Sequence, residues 1–235
     1  MSSTFTYLRC LDPKRPSLMK FRLTYEGEIP SGQSSPGQAK VEMRKSFHNQ
    51  LERLWERTNF LKNATTTSAS KPESQVQVRA LSGGSLYSGL GTLGDKSLPY
   101  NEAIGNLYRQ NGYRFVPIAR EDAGLRCGLD ILFLRSDGFH SPVTAGDLDN
   151  RVKTIIDALK RPKNANELKD YSGEDDSLFY VLLDDDDLLD ALTVETGELL
   201  SPNPSGDHRN PRWSKIVVNV TITPYAVDGF NIAYL

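Results

Sequence analysis

The segment Lys215 to Pro224 sets the tightest limit on what this chain can fold into. Ile216, Val218, Val220 and Ile222 alternate there with a mainly polar set. Period two puts the four on one side of a strand, and a strand with one apolar side needs a second layer to cover it. Met19, Phe21, Leu23 and Tyr25 alternate in the same way, which predicts a second half-buried strand. Tyr113 to Ile118, Leu125 to Arg135 and Leu189 to Glu195 also read as strands. The covering layer is legible as helices. From about Gln38 to Thr58, Phe47, Leu51, Leu54 and Trp55 recur on one stripe. Between Gly146 and Lys160, Val152, Ile155, Ile156 and Leu159 follow i, i+3, i+4, i+7.

The intervening segments are of two kinds. Glu28 to Gly37 and Ser136 to Gly146 read as loops. Asn59 to Asn101 is rich in Ser, Thr and Gly and weakly periodic, with at most a short strand near Val76 to Leu81, and reads as an insertion. It contains Gly89-Leu-Gly91-Thr-Leu-Gly94, a formal GxGxxG. A dinucleotide site needs that motif between a buried strand and a helix. Here Ser82-Gly-Gly-Ser85 precedes it and Pro99 follows, so the match reads as accidental.

The length of 235 residues suits one domain with insertions. No stretch reaches the roughly 20 apolar residues of a membrane helix, and the start lacks a basic segment followed by an apolar run. Cys10 and Cys127 lie far apart and form no CxxC pair. A reduced cytoplasmic protein without a structural zinc or a membrane anchor is therefore expected. The net charge of −2 is unevenly spread: Lys163 to Asp207 carries −11 and the remainder +9. A solvated acidic loop is the ordinary meaning of such a run. A metal site on a nucleic-acid-binding surface is the sharper one.

Gly146-Asp147-Leu-Asp149-Asn150-Arg-Val-Lys153 leads from loop to helix. Asp149 or Asn150 can cap the helix, with Asp147 just outside it. In an extended lead-in, residues two apart project to one side, so both carboxylates would point at one spot. Asp149, Lys153 and Asp157 then form a polar stripe along the helix. Taken alone, this DxDN reads as a plain N-cap. The second cluster, Leu183-Asp184-Asp185-Asp186-Asp187-Leu-Leu-Asp190, shifts the balance. Packed like charges repel, and a bound dication relieves that repulsion. Oxygen ligands suit magnesium or manganese. A calcium EF-hand is excluded, because the required loop glycine falls on Leu189.

Together the two clusters resemble the RusA-type Holliday junction resolvases. In that family a D-L-D-N-x-x-K segment opens an apolar helix ending D-A-L, and an L-D-D-x-x-V-V-[DE] segment leads into a later strand. Asp147-Leu-Asp149-Asn150-Arg-Val-Lys153, Asp157-Ala-Leu159 and Leu183 to Asp190 match that order. The resemblance implies an α+β fold: a mixed, mainly antiparallel sheet flanked by helices, forming one domain over 1–235 with insertions at 59–101 and 161–180. It implies a magnesium-dependent endodeoxyribonuclease, a homodimer acting on branched DNA. Carried over position by position, the metal ligands fall on Asp147, Asp149 and Asp185, with Asp184 and Asp186 as neighbouring registers. The catalytic lysine falls on Lys153. From the helix spacing, Asp157, one turn beyond, is expected either to hold that lysine or to form a plain surface salt bridge, and Asn150 to stand behind the ligands. Arg44, Lys45, Arg53 and Arg57 on the first helix are candidate DNA contacts. The chain departs from the family in its neutral Ser141 to Gly146, where a basic stretch is expected. Two alternatives stay open: a catalytically weak DNA-binding or complex-forming subunit, and a nuclease for another nucleic-acid structure. His48, His140 and His208 show no metal or acid–base spacing, and structural or solvent roles are expected for them.

Overall fold

The computed structural model describes residues 4–8, 19–29, 36–58, 61, 65–68, 76–79, 85–88, 98–110, 112–136, 145–163, 167, 177–200 and 213–225. Strands β1 (Thr4–Leu8) and β2 (Met19–Glu28) precede helix α1 (Pro36–Arg57). Four short strands follow: β3 (Thr65–Ser68), β4 (Val76–Arg79), β5 (Ser85–Ser88) and β6 (Leu98–Pro99). Then come α2 (Tyr100–Leu107), β7 (Arg109–Gln110), β8 (Tyr113–Ala119), β9 (Leu125–Arg135) and α3 (Ala145–Leu159). The chain continues through β10 (Leu178–Leu183), β11 (Leu189–Glu198) and β12 (Trp213–Pro224).

The main sheet has the order β1-β11-β9-β12-β2. Its β11–β9 pair is parallel and the other three are antiparallel. A second sheet, β10-β8-β7, joins β10 to β8 in parallel and β7 to β8 as a hairpin. Gly112, at φ 83°, supplies the left-handed turn of that hairpin. The fold is therefore α+β with a mixed, mainly antiparallel main sheet.

The alternation in β12 and β2 does what period two requires. Ile216, Val218, Val220 and Ile222 are buried with Leu23 and Tyr25 on one face of the main sheet. Against them pack Phe47, Leu51 and Trp55 of α1 and Val152, Ile155 and Leu159 of α3, with Val116, Ile118, Tyr180 and Leu182 of the second sheet. The opposite face of that second sheet holds a smaller cluster of Val41, Phe115, Phe179 and Val181.

Three features differ from the sequence reading. The segment expected to be a nearly structureless insertion forms a four-stranded antiparallel sheet, β5-β4-β3-β6. Its strands are only two to four residues long, below the span over which alternation can be read. Helix α2 begins at Tyr100, inside the stretch expected to be irregular. Strand β10 begins at Leu178, inside the stretch expected to be an insertion. Buried on both faces, Leu178–Leu183 is a continuous apolar run without alternation.

Candidate active site

Helix α3 carries the first motif. It begins at Ala145, so Asp147 and Asp149 both lie within the helix, and neither Asp149 nor Asn150 is its N-cap. The buried face explains the longer helix. Leu148 and Arg151 are buried along with Val152, Ile155 and Leu159, which extends the inward stripe one turn earlier than the aliphatic residues alone suggest. The Arg151 guanidinium lies 5.9 Å over the Phe133 ring of β9. At 3.6 residues per turn, positions 147 and 149 stand about 200° apart round the axis. The expected convergence of both carboxylates from an extended lead-in is thus replaced by helical geometry. The side chain of Asp147 lies outside the described residues. Asp149, Asn150 and Lys153 are exposed. The carbonyl of Asn150 accepts a hydrogen bond from Thr154 Oγ1 at 2.9 Å.

The second motif forms the turn between β10 and β11. Asp184 N–H donates to the Ala119 carbonyl (3.0 Å), which anchors the turn to the end of β8. Asp185 is extended, and its carboxylate accepts from Asp186 N–H at 2.8 Å, capping a 3-10 turn over Asp186–Leu188. The three carboxylates are paired one by one with cations that follow α3. Arg161 Nε holds Asp184 at 2.6 Å, Lys163 holds Asp185, and Lys160 Nζ holds Asp186 at 2.9 Å. Across the turn, Arg126 donates to the Asp187 carbonyl at 2.7 Å and lies 3.8 Å from the Asp190 carboxylate. A hydrogen bond with the Asp185 carboxyl, and then the one from Lys160, holds the Asp186 carboxyl down at about 2. Burial pulls the Lys160 ammonium down, but its hydrogen bonds to Asp186 and Asp157 outweigh that and raise its pKa. The repulsion within the acidic run is therefore offset by basic side chains. Lys160-Arg161-Pro-Lys163, immediately after the helix, was the sequence signal for them.

Lys160 also links the two motifs, since its ammonium lies 3.0 Å from Asp157 and 2.9 Å from Asp186. Of the two roles open to Asp157, steadying Lys153 or forming a plain salt bridge, the structure shows the salt bridge: its carboxylate meets Lys160 and, at 3.5 Å, Lys40 of α1. Asp149 is eight residues up the helix from Asp157, about 12 Å along the axis. The fold thus gathers Asp157, Asp185 and Asp186 at the foot of α3 and leaves Asp149 and Lys153 toward its head. Among the described residues, no three His, Cys, Asp or Glu groups converge tightly enough to hold a metal ion. The donor set is nonetheless all carboxylate oxygen, suited to a hard divalent cation. The Lys160 ammonium between Asp157 and Asp186 marks a place where these oxygens already accommodate positive charge.

No match was found. Neither a family model, nor a curated protein, nor a solved structure aligns with this chain. Among the described residues, no helix is long and apolar enough to cross a membrane.

Of the four basic residues expected to meet DNA, Lys45, Arg53 and Arg57 are exposed on α1. Arg44 is not, being 1% exposed between α1 and α3. Its Nη2 donates to the Asp157 carbonyl at 2.5 Å and lies 3.4 Å from the Glu167 carboxylate. The amphipathic stripe read from Phe47 and Leu51 gives no warning of this. An arginine one turn before Phe47 falls on the side of the helix that α3 covers.

One further feature lies outside both motifs. A cleft of about 520 Å³ opens between α1, α2 and the leading ends of β8 and β10. In it His48 Nδ1 accepts a hydrogen bond from Tyr180 N–H at 3.0 Å. This tethers α1 to the outer edge of β10, a structural role as expected for this histidine. Burial lowers the His48 pKa, partly opposed by Glu52.

Proposed function

We propose that this chain is a magnesium-dependent endonuclease for branched DNA of the Holliday-junction type, working as a homodimer. The observation that supports this reading is the placement of the two motifs. The stripe of α3 formed by exposed Asp149 and Lys153 and half-buried Asp157 runs through Lys160 into the turn at Asp185 and Asp186. Both acidic motifs thus border one surface strip. This reading takes Asp147, Asp149 and Asp185 as the metal ligands, with Asp184 and Asp186 beside them and magnesium, or manganese in its place, as the ion; as folded these groups do not converge on one point, so binding requires the head of α3 and the acidic turn to be drawn together. When bound there, a divalent cation supplies charge for a scissile phosphate and lowers the pKa of a coordinated water. The Lys153 ammonium neutralises negative charge building on the phosphate. Exposed Lys45, Arg53 and Arg57 contribute sequence-independent attraction to the backbone.

Cleavage of four-way junctions, flaps, linear duplex and single strands with and without magnesium tests this. Junction cleavage that needs magnesium and is lost in Asp149→Asn and Asp185→Asn, with unchanged melting, is the expected result. Magnesium-independent products, or full activity in both variants, would sink it. Light scattering checks the dimer.

A second reading is favoured by the ion pairs themselves. With Asp184, Asp185 and Asp186 each tied to a cation, and about 12 Å of helix between Asp149 and Asp157, the fold suits a DNA-binding subunit without cleavage. Junction binding in gel shifts with no product under any divalent ion would favour that form.

A further inference from the structure

Helix α1 lies between two sheet edges and closes both with side chains. On one side Gln50 pairs with the outer edge of β2: its Oε1 accepts from Thr24 N–H at 2.9 Å, and its Nε2 donates to the Thr24 carbonyl at 2.7 Å. On the other side His48 Nδ1 accepts from Tyr180 N–H at 3.0 Å, at the outer edge of β10. Two positions apart on a helix, His48 and Gln50 stand about 200° from each other round the axis, which is why one helix serves both strands. An edge strand presents backbone groups with no neighbour in its sheet, so each side chain stands in for a missing strand. Of the two, only the histidine titrates.

The His48 contact holds only while the ring is neutral. The ring stacks on Phe179 with centroids 4.3 Å apart and planes inclined by 16°, and lies at the same inclination to Tyr180, 5.7 Å away. Accepting at Nδ1 puts its one proton on Nε2. A second proton enters at Nδ1 and points at the Tyr180 N–H, donor against donor. The amide cannot turn away, because β10 is paired in parallel with β8 from Leu178 to Leu183. Turning the ring over presents a carbon to the amide and leaves it without an acceptor. The aromatic faces attract a cation, but burial is the larger influence: it lowers the His48 pKa, and Glu52 raises it by less. The other charged or titratable groups lining this place are Lys45 of α1, Glu102 of α2, Tyr113 and Arg114 of β8, and Tyr180 itself. Glu102 is paired with Arg114. Burial raises the pKa of the Tyr180 hydroxyl, which therefore stays neutral in acid.

We propose that α1 and β10 form a proton-operated seam: when His48 takes up a second proton, α1 releases the edge of β10 at Tyr180 while Gln50 keeps its hold on β2. Acid thereby uncovers the outer edge of β10 without opening the main sheet. The inference needs neither the metal nor the DNA of the proposed function, so either idea can fail while the other stands.

Amide hydrogen exchange of the full chain, followed residue by residue by NMR at pH 7.5 and 5.5, tests it. Rates are expressed as protection relative to an unstructured peptide, which removes the intrinsic pH dependence of exchange. With an open-state pKa of 6.5, the opened population rises by up to about tenfold over that interval. Protection of the Tyr180 amide should fall several-fold, up to that factor, while protection of the Thr24 amide stays constant. In His48→Asn the side-chain carbonyl takes the place of Nδ1 and accepts without titrating, so Tyr180 protection should become independent of pH.

Unchanged Tyr180 protection in the unaltered chain would overturn the proposal, because the seam would then ignore the proton. An equal fall at Thr24 and Tyr180 would overturn it too, since the whole fold rather than one seam would be loosening. So would a fall at Tyr180 that persists in His48→Asn. If that variant fails to fold, the comparison of the two amides in the unaltered chain still decides the matter.

Discussion

Replacing Arg44 tests whether this side chain is a clasp between helices or a contact for DNA. The Asp157 carbonyl is one of the last four of α3, which an α-helix cannot satisfy from within. Its ordinary donor would be the N–H of Arg161, but that group turns away and bonds to the Leu183 carbonyl at 2.9 Å. Arg44 Nη2 takes its place at 2.5 Å, in a site only 1% exposed, and its positive charge faces the negative end of the helix dipole. A hydrogen bond from a charged donor contributes about 1.5–3 kcal/mol, and leaving a buried carbonyl unsatisfied costs about 1–3 kcal/mol. Arg44→Met keeps most of the buried aliphatic stem, so its cost should be about 3 kcal/mol. At about 2–4 °C per kcal/mol for a chain of this size, melting should fall by roughly 6–12 °C. Differential scanning calorimetry gives that number, and DNA titrations at several salt concentrations accompany it. A clasp predicts a large melting shift with an unchanged salt slope. A phosphate contact predicts little change in melting and a slope smaller by about one. The second pattern would refute the reasoning.

Three other perturbations follow from the same structure. His48 has a folded pKa below its unfolded 6.5. Its contribution is therefore complete above pH 6.5 and is lost as pH falls below that value, where the unfolded chain binds the extra proton. Melting measured from pH 8 to 5 should show the loss, and His48→Asn should flatten it. In Gly105→Ala the new Cβ would stand 2.5 Å from Leu178 Cδ2 and 3.1 Å from Arg114 Cβ. Overpacking of about 1–3 kcal/mol should outweigh the helix gain of about 1 kcal/mol, and urea unfolding would show a net loss. Lys160→Met removes partly exposed ion pairs to Asp157 and Asp186 and should cost less than about 1 kcal/mol in chemical denaturation. A loss above 2 kcal/mol would mean that this lysine holds α3 in place.

Strands β2 and β12 and helix α1 were legible because each shows period two or 3.6 over seven or more residues. Strand β10 was not, since a strand buried on both faces has no alternation to read. Helix α2 is eight residues long and holds Gly105, too short and too permissive a segment for periodicity. In the candidate site the residue types could be read from the sequence, but their geometry could not. The alternation argument for Asp147 and Asp149 assumed an extended lead-in. That assumption fails because burial of Leu148 and Arg151 draws the preceding turn into the helix. The acidic run was read for its own repulsion, without the cations that fold against it from 20 or more residues away in sequence. Arg44 was read as surface because arginine is rarely buried, whereas an orphaned helix carbonyl is a feature that only the folded chain creates.

The pairing of the acidic turn has a consequence for both functional readings. Lys160 with Asp186, Arg161 with Asp184 and Lys163 with Asp185 join the exit of α3 to the exit of β10. The Lys160–Asp186 and Lys163–Asp185 pairs each include a partner at least 30% exposed, so these two contribute little to stability and are open to exchange. A DNA phosphate competes for the lysines, and a divalent cation competes for the carboxylates. Under the nuclease reading the two exchanges reinforce one another. Phosphate drawn to Lys160 and Lys163 frees Asp185 and Asp186, and a cation on those carboxylates frees the lysines. Linkage then requires DNA to raise the affinity for magnesium by the same factor that magnesium raises the affinity for DNA. Under the binding-subunit reading the lysines alone exchange and no such coupling arises. The difference between the readings thus lies in whether the ion pairs open on one side or on both.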